Sequence, residues 1–171
     1  MNPRRTIGLT FVCAALLCLC GCGHSGRVRV QNSPPRPVAD VDAVGLRLTP
    51  PSPVNWDDRP GADGLQVQVN FFRLDEDLSV TVKGALELTL FEGNLKANQL
   101  AGARVLQTWR FNAADLSTFC GKSAFGWGYA MRLPWGASPP SGSNATLIAK
   151  YISPTGRTIA AEPIVVPLGP G

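Results

Sequence analysis

Apolar side chains recur at every second position between Val44 and Leu168, and this period is the feature that most constrains the fold. In the stretch LQVQVNFF, residues 65–72, the apolar side chains alternate with Gln and Asn. Such alternation is typical of a β-strand with one buried face and one solvent-exposed face. The stretch LSVTVKGALELTLFE alternates in the same way on both sides of Gly84, which predicts a bulge or kink at that glycine.

Five further stretches have the character of strands. They are GLRL at 45–48, RVLQTWRF at 104–111, FGWGYAMRL at 125–133, ATLIAKYI at 145–152 and TIAAEPIVVPL at 158–168. Pro163 and Pro167 have no amide hydrogen to donate, which predicts that the last stretch is an edge strand. One helical turn is predicted in NAADLSTF, with Asn112 or Asp115 as its cap. About seven short strands with frequent turn sequences predict an all-β fold, an antiparallel β-sandwich.

Two of these stretches also carry a resemblance to a known group of proteins. PGADGLQVQV followed by LSVTVKGALELTLFE resembles the paired strands, with a glycine-containing kink, of Ig-like and transthyretin-like sandwiches in bacterial envelope lipoproteins. The resemblance covers residues 44–168. It implies an Ig-like or transthyretin-like β-sandwich and brings no catalytic residue with it.

The start of the chain has the layout of a secretory signal peptide. Arg4 and Arg5 give a positive start, an apolar run extends from Ile7 to about Cys20, and small residues follow. The run is shorter than the roughly 20 residues that cross a bilayer comfortably. Cys13 and Cys18 lie within this run. A thiolate zinc site needs paired cysteine motifs separated by a folded turn, and the spacing of these cysteines and the later ones does not supply them.

The stretch Leu19-Cys20-Gly21-Cys22 resembles the lipobox of bacterial lipoproteins. The resemblance implies cleavage between Gly21 and Cys22, and a thioether-linked diacylglycerol with palmitate-type acyl chains on Cys22. We therefore expect a signal peptide over residues 1–21, a lipid-anchored linker over 22–42 and a β-sandwich domain over 43–169. The expected location is the cell membrane or the outer membrane, facing the periplasm or the exterior.

The segment between the lipobox and the first strand has no apolar period. It is rich in Pro, Ser and Arg, and Pro34, Pro35 and Pro37 favour an extended polyproline chain. We predict that it forms a disordered spacer. Removing the two leader arginines lowers the formal charge from +4 to about +2, which does not favour a nucleic-acid partner.

Histidine is confined to the linker, where His24 is the single one in the chain. The predicted domain therefore lacks the imidazole needed for Ser-His-Asp or Cys-His catalysis and for His-ligated metals. We predict no catalytic residue, no cofactor and no metal site. The acidic loops NWDDRPGADG and LDED leave calcium binding as an alternative, although ordinary turn chemistry explains them equally well.

The stretch FGWGYAMRL and the tryptophan that follows it supply the candidate binding residues. Five alternating apolar side chains, Phe125 to Leu133, are expected to fill the core. In the alternative interpretation Trp127, Tyr129 and Trp135 face outward and form a partner-binding surface. Cys120 is the odd cysteine of the domain, and we expect it to be buried or to join two chains by a disulfide.

These features together predict a non-enzymatic, lipid-anchored protein of the bacterial envelope with a structural or adaptor β-sandwich. The alternative is an envelope binding module that holds a glycan or a peptide through exposed aromatic residues or an open sheet edge. The expected partners are a membrane, reached through the lipid anchor, and an envelope protein or glycan. The sequence leaves the oligomeric state open.

Overall fold

The computed structural model describes residues 33–136 and 139–168, which fold into two antiparallel sheets around one hydrophobic core. The strands are β1 (Ala43–Leu48), β2 (Gly64–Phe72), β3 (Ala85–Glu92), β4 (Val105–Phe111), β5 (Cys120–Ser123), β6 (Gly126–Pro134), β7 (Asn144–Ile152), β8 (Thr158–Ala160) and β9 (Ile164–Pro167). One sheet has the order β1-β2-β6-β5. The other has the order β4-β3-β7, and β8 and β9 both pair with β7. This arrangement confirms the prediction of an all-β, sandwich-like fold.

The described residues contain nine strands, where the sequence predicted about seven. The last predicted strand is divided into β8 and β9, with Pro163 lying between them. Both short strands lie at the edge of their sheet, as the two prolines predicted. The additional strand is β5, which has only four residues and no apolar alternation that would predict it.

Gly84 marks the predicted kink. Residues 79–82 form only isolated bridges, and the continuous strand β3 begins at Ala85. A Cβ atom on Gly84 would overlap the carbonyl oxygen of Ile152 and lie 2.6 Å from the ring of Tyr151. Glycine is required here because the neighbouring strand approaches the backbone too closely for any side chain.

The alternation of β2 corresponds to its two faces. Its inward side chains are fully buried between the sheets: Leu65, Val67, Val69 and Phe71. The Phe71 ring contacts Tyr129 of one sheet at a centroid distance of 5.4 Å and Tyr151 of the other at 5.2 Å. Full burial of an apolar side chain of this size contributes about 1.5–3 kcal/mol, so the inward face of β2 is a major source of stability.

The predicted helix is present as α1 (Ala113–Phe119). The Asn112 side chain accepts hydrogen bonds from the amides of Ala114 and Asp115, and the Asp115 carboxylate accepts one from the Asn112 amide. Both predicted capping residues therefore take part in one reciprocal capping box. Leu116 is buried and holds the helix against the core.

The folded domain begins before the predicted boundary at Asp42. Val41 is fully buried and Val38 packs against the core. The Val38 amide donates to the Thr81 carbonyl, and the Lys83 amide donates to the Val38 carbonyl, each at 2.8 Å. The prediction that the whole segment 22–42 is a linker is therefore wrong for its last residues, because two valines among the prolines bury apolar surface and pair their backbone.

The predicted signal peptide, its cleavage site between Gly21 and Cys22, and the first part of the linker lie outside the described residues. His24 lies there too. Within the described ranges, no helix is both long enough and apolar enough to cross a bilayer.

Candidate functional site

The three aromatic residues proposed for partner binding do not form one exposed surface. Tyr129 and Trp135 are buried, with 2% and 5% of their surface exposed, while Trp127 is half-buried. The Trp135 ring packs against Trp109 at a centroid distance of 6.3 Å. The structure therefore corrects the outward-facing interpretation for Tyr129 and Trp135, because both rings fill the interior.

The main expectation, that the alternating side chains of this strand fill the core, is confirmed for Tyr129, Met131 and Leu133. It is wrong for Phe125, which is exposed, and Trp127 is only half-buried. Phe125 is 49% exposed because it lies in the turn between β5 and β6, just before Gly126 with its φ of 115°. Its ring lies 5.5 Å from the guanidinium of Arg47, a cation–π contact at the surface.

Gly128 of β6 leaves room for two amide side chains. A Cβ atom on Gly128 would overlap the side-chain amides of Gln68 and Asn70. Asn70 is buried and donates to the hydroxyls of Ser79 and Ser123, each at 3.0 Å. Gly128 is thus covered by a polar network that also includes Ser79 and that ties the β5–β6 hairpin to β2.

A groove of about 440 Å³ opens between the N-terminal segment, residues 81–83 and the helix α1. We call it the proline groove. Its apolar lining consists of Pro34, Pro35, Pro37, Val82, Ala113 and Tyr129. Its polar lining consists of Arg36, Thr81, Lys83, Ser117 and Cys120.

The walls of the proline groove are held in place by hydrogen bonds. The Thr81 hydroxyl donates to the Pro35 carbonyl at 2.8 Å, which fixes the proline wall. The Val82 amide donates to the Tyr129 hydroxyl at 2.9 Å, which fixes the opposite side. The capping box at Asn112 sets the start of α1, so that Ala113 lies at the rim.

Two titratable groups in the lining have a shifted pKa, and burial is the main cause in both. It raises the pKa of the Tyr129 hydroxyl to about 12, against the opposing effect of the hydrogen bond from Val82. Burial also raises the pKa of the Cys120 thiol, which is half-buried and pairs across from Tyr129. Because a thiol reacts as its thiolate, the raised pKa slows the reaction of Cys120 with electrophiles near neutral pH.

The charges along the proline groove have one sign. Arg36 and Lys83 are exposed cations, and none of the described lining residues is a carboxylate. Neither cation forms an ion pair with a carboxylate in the described part of the chain. Both are therefore available to a negatively charged group at the mouth.

A second concave surface, of about 370 Å³, lies on the outer face of β3, β4 and β7. It combines apolar residues such as Phe91 and Ile148 with Glu87 and Lys150. Glu87 is already paired with Arg110 at 2.8 Å. Its charges are mixed, so this surface favours no single class of ligand.

The acidic loop NWDDRPGADG uses its carboxylates for its own turns. Asp63 accepts hydrogen bonds from the amides of Trp56 and Asp57, and Asp57 accepts one from the amide of Arg59. In residues 33–136 and 139–168, no group of three or more His, Cys, Asp or Glu side chains is placed to hold a metal ion. Turn formation accounts for the position of these carboxylates.

The sequence does not predict the proline groove, although it contains two features of the regions that form it. Val38 and Val41 interrupt the proline-rich segment, and Cys120 lies next to the only predicted helical turn. Neither feature shows that the two regions meet, since about 80 residues separate them.

Comparison with protein-family models, curated proteins and solved structures found no match to this chain.

Proposed function

We propose that this chain is a lipid-anchored protein of the bacterial envelope whose β-sandwich, of Ig-like or transthyretin-like type, acts without catalysis as a structural or adaptor module. The proposal places the anchor on Cys22, in the lipobox-like stretch Leu19 to Cys22. A lipidated cysteine with two or three acyl chains holds a protein stably at a membrane, whereas one chain does so only marginally.

The observation that carries the proposal is the attachment of the N-terminal segment to residues 81–83 and to β7. Val38 pairs with residues 81–83, and the Tyr151 hydroxyl of β7 donates to the Ala39 carbonyl at 2.6 Å. The same hydroxyl accepts from the Gly84 amide, while the Tyr129 hydroxyl of β6 accepts from the Val82 amide. The tether therefore joins the domain at a segment whose backbone is paired with the core. An anchor at its far end limits how far the folded domain can move from the membrane.

The length of the tether also suits an envelope protein. Cys22 precedes Ser33 by 11 residues. At full extension this stretch spans at most about 36–40 Å, so that a lipid on Cys22 keeps the domain close to the membrane surface. An adaptor in this position holds a partner within reach of the same membrane.

The chemistry of the domain supports a non-catalytic role. Among the described residues the ionisable groups with shifted pKa values are Cys120, Tyr129 and Tyr151, and in each the main cause is burial. A raised pKa keeps a thiol or a phenol protonated near neutral pH, whereas an activated nucleophile of these types needs a lowered pKa.

Binding of a glycan or a peptide, the alternative function, has less support. Two of the three candidate aromatic residues are buried. The sheet edges are also poorly suited to strand addition: β5, β8 and β9 have three or four residues each, and the longer edge strands β1 and β4 carry the exposed Arg47 and Arg110. Short and charged edges oppose pairing with an added strand.

Metabolic labelling with an alkyne-bearing fatty acid tests the anchor directly. We expect label on the wild-type chain and none on the Cys22→Ser variant. Cys20→Ser is the matched control, since it changes a neighbouring cysteine and keeps the label. An unlabelled wild-type chain, or label that persists in Cys22→Ser, would refute the proposed anchor.

The adaptor role is tested by crosslinking in intact cells followed by isolation of the tagged chain from membranes. We expect a defined envelope partner with the wild-type chain, and its loss with Cys22→Ser at equal abundance. Recovery of the chain without any crosslinked partner contradicts the adaptor role.

A further inference from the structure

The proline groove has the size and lining of a small-molecule site. Its volume of about 440 Å³ lies within the range of roughly 300–1,000 Å³ that is typical of ligand pockets. Three prolines, Val82, Ala113 and Tyr129 make its surface mainly apolar. A ligand that fills it must therefore present a substantial apolar part.

The backbone of the groove does not favour a peptide. The Thr81 carbonyl accepts from Val38, the Lys83 amide donates to Val38, and the Val82 amide donates to Tyr129. These groups would otherwise pair with an added strand. A ligand without backbone hydrogen-bonding groups, such as an acyl chain, loses nothing at this wall.

The charges at the mouth select the polar part of the ligand. Arg36 and Lys83 line the groove as exposed cations. The Ser117 hydroxyl on the helix side already donates to the Ala114 carbonyl, so the two cations are the groups that act on a charged ligand. A cationic head group would be repelled there, whereas a carboxylate would gain charge-assisted hydrogen bonds.

We propose that the proline groove binds a free fatty-acyl carboxylate, with its acyl chain along the apolar lining and its carboxylate near Arg36 and Lys83. This ligand is a separate molecule from the covalent lipid proposed on Cys22. The inference therefore does not depend on the anchor, and it extends the function of the domain to binding a single-chain anionic amphiphile.

Protection of Cys120 from alkylation measures occupancy, because the thiol is half-buried in the groove lining. The full chain, purified in a neutral maltoside detergent, is treated with N-ethylmaleimide, and the peptide that contains Cys120 is quantified by mass spectrometry. We expect laurate to slow modification of Cys120 by about tenfold near saturation. Dodecyltrimethylammonium, which has the same chain length and the opposite charge, should leave the rate unchanged.

Two variants on the exposed face of α1 form a matched pair. Ala113→Trp places a ring in the groove, whereas Ala114→Trp adds the same ring to a neighbouring exposed position that does not line it. Each rate is compared with that of the same variant without ligand. We expect laurate to protect Cys120 in Ala114→Trp and to have no effect in Ala113→Trp.

The charge requirement is tested by the double variant Arg36→Glu and Lys83→Glu, which keeps the apolar lining. Each exposed ion pair contributes up to about fivefold in affinity, so that reversing both charges should weaken laurate binding by about tenfold or more. Three results would overturn the proposal: no protection by laurate, equal protection by the cationic amphiphile, or undiminished protection in Ala113→Trp. Since the assay reads Cys120 alone, its failure is distinct from a failure to find lipid on Cys22.

Discussion

Replacing Tyr151 with phenylalanine tests whether the N-terminal segment is part of the cooperative fold. The hydroxyl accepts a hydrogen bond from the buried Gly84 amide at 3.1 Å and donates one to the Ala39 carbonyl at 2.6 Å. The variant keeps the aromatic ring and its contact with Phe71, so that it removes two hydrogen bonds without opening a large cavity.

The expected loss follows from the two groups that are left without a partner. A buried donor without an acceptor costs about 1–3 kcal/mol, and a lost hydrogen bond at a half-buried carbonyl costs about 0.5–1.5 kcal/mol. The free energy of unfolding should therefore fall by about 2–4 kcal/mol. This is a large part of the roughly 5–15 kcal/mol that stabilises a typical domain.

Urea denaturation followed by tryptophan fluorescence measures this loss for Tyr151→Phe. We expect a lower midpoint with an unchanged slope, together with faster hydrogen exchange at the Val38 amide. Tyr129→Phe is the control, because it removes the hydrogen bond from Val82 and leaves the Ala39 contact intact. If the free energy of unfolding of Tyr151→Phe stays within about 0.5 kcal/mol of the wild type and the Val38 amide stays protected, the proposed attachment is refuted.

Three further predictions concern stability. Gly84→Ala should lower the free energy of unfolding by about 1–3 kcal/mol in urea denaturation, because the added methyl group overlaps the Ile152 carbonyl. The control Gly121→Ala has nothing within 4 Å of the added atom and should change the free energy of unfolding by less than about 0.5 kcal/mol. Asn112→Ala should cost about 1 kcal/mol through loss of the α1 cap, and Asn112→Asp should retain most of it; equal stabilities of the two variants would contradict this role. The pKa of Tyr129 is raised from 10.0 to about 12, so the contribution of its hydroxyl to the free energy of unfolding is fully present below pH 10 and is lost as the pH rises towards 12. If the urea midpoint of Tyr129→Phe depends on pH in this window as strongly as that of the wild type, the burial of the hydroxyl is contradicted.

The sequence predicted those parts of the fold that depend on local patterns. The alternation in residues 65–71 defined the buried face of β2, the two prolines placed β8 and β9 at an edge, and Asn112 with Asp115 located the helix. Each of these signals acts through neighbouring residues: a side-chain period, a missing amide hydrogen or a cap. Local chemistry was sufficient to predict them.

The sequence could not predict features that arise from distant pairings. Val38 is folded because residues 81–83 offer backbone partners, more than 40 positions along the chain. Phe125 shares the period of β6 but lies in the preceding turn, because Gly126 changes the direction of the chain. The proline groove likewise forms only where the N-terminal segment meets α1, and no local pattern encodes that meeting.

Mass spectrometry of the N-terminal peptide of the processed protein tests the central proposal most directly. The protein is isolated from its native membranes without prior delipidation, so that a thioether-linked lipid is retained. We expect a peptide that begins at Cys22 and carries the added mass of a diacylglycerol group. A peptide that begins at an unmodified Cys22, or one that still contains the leader, would contradict the proposed lipid-anchored function.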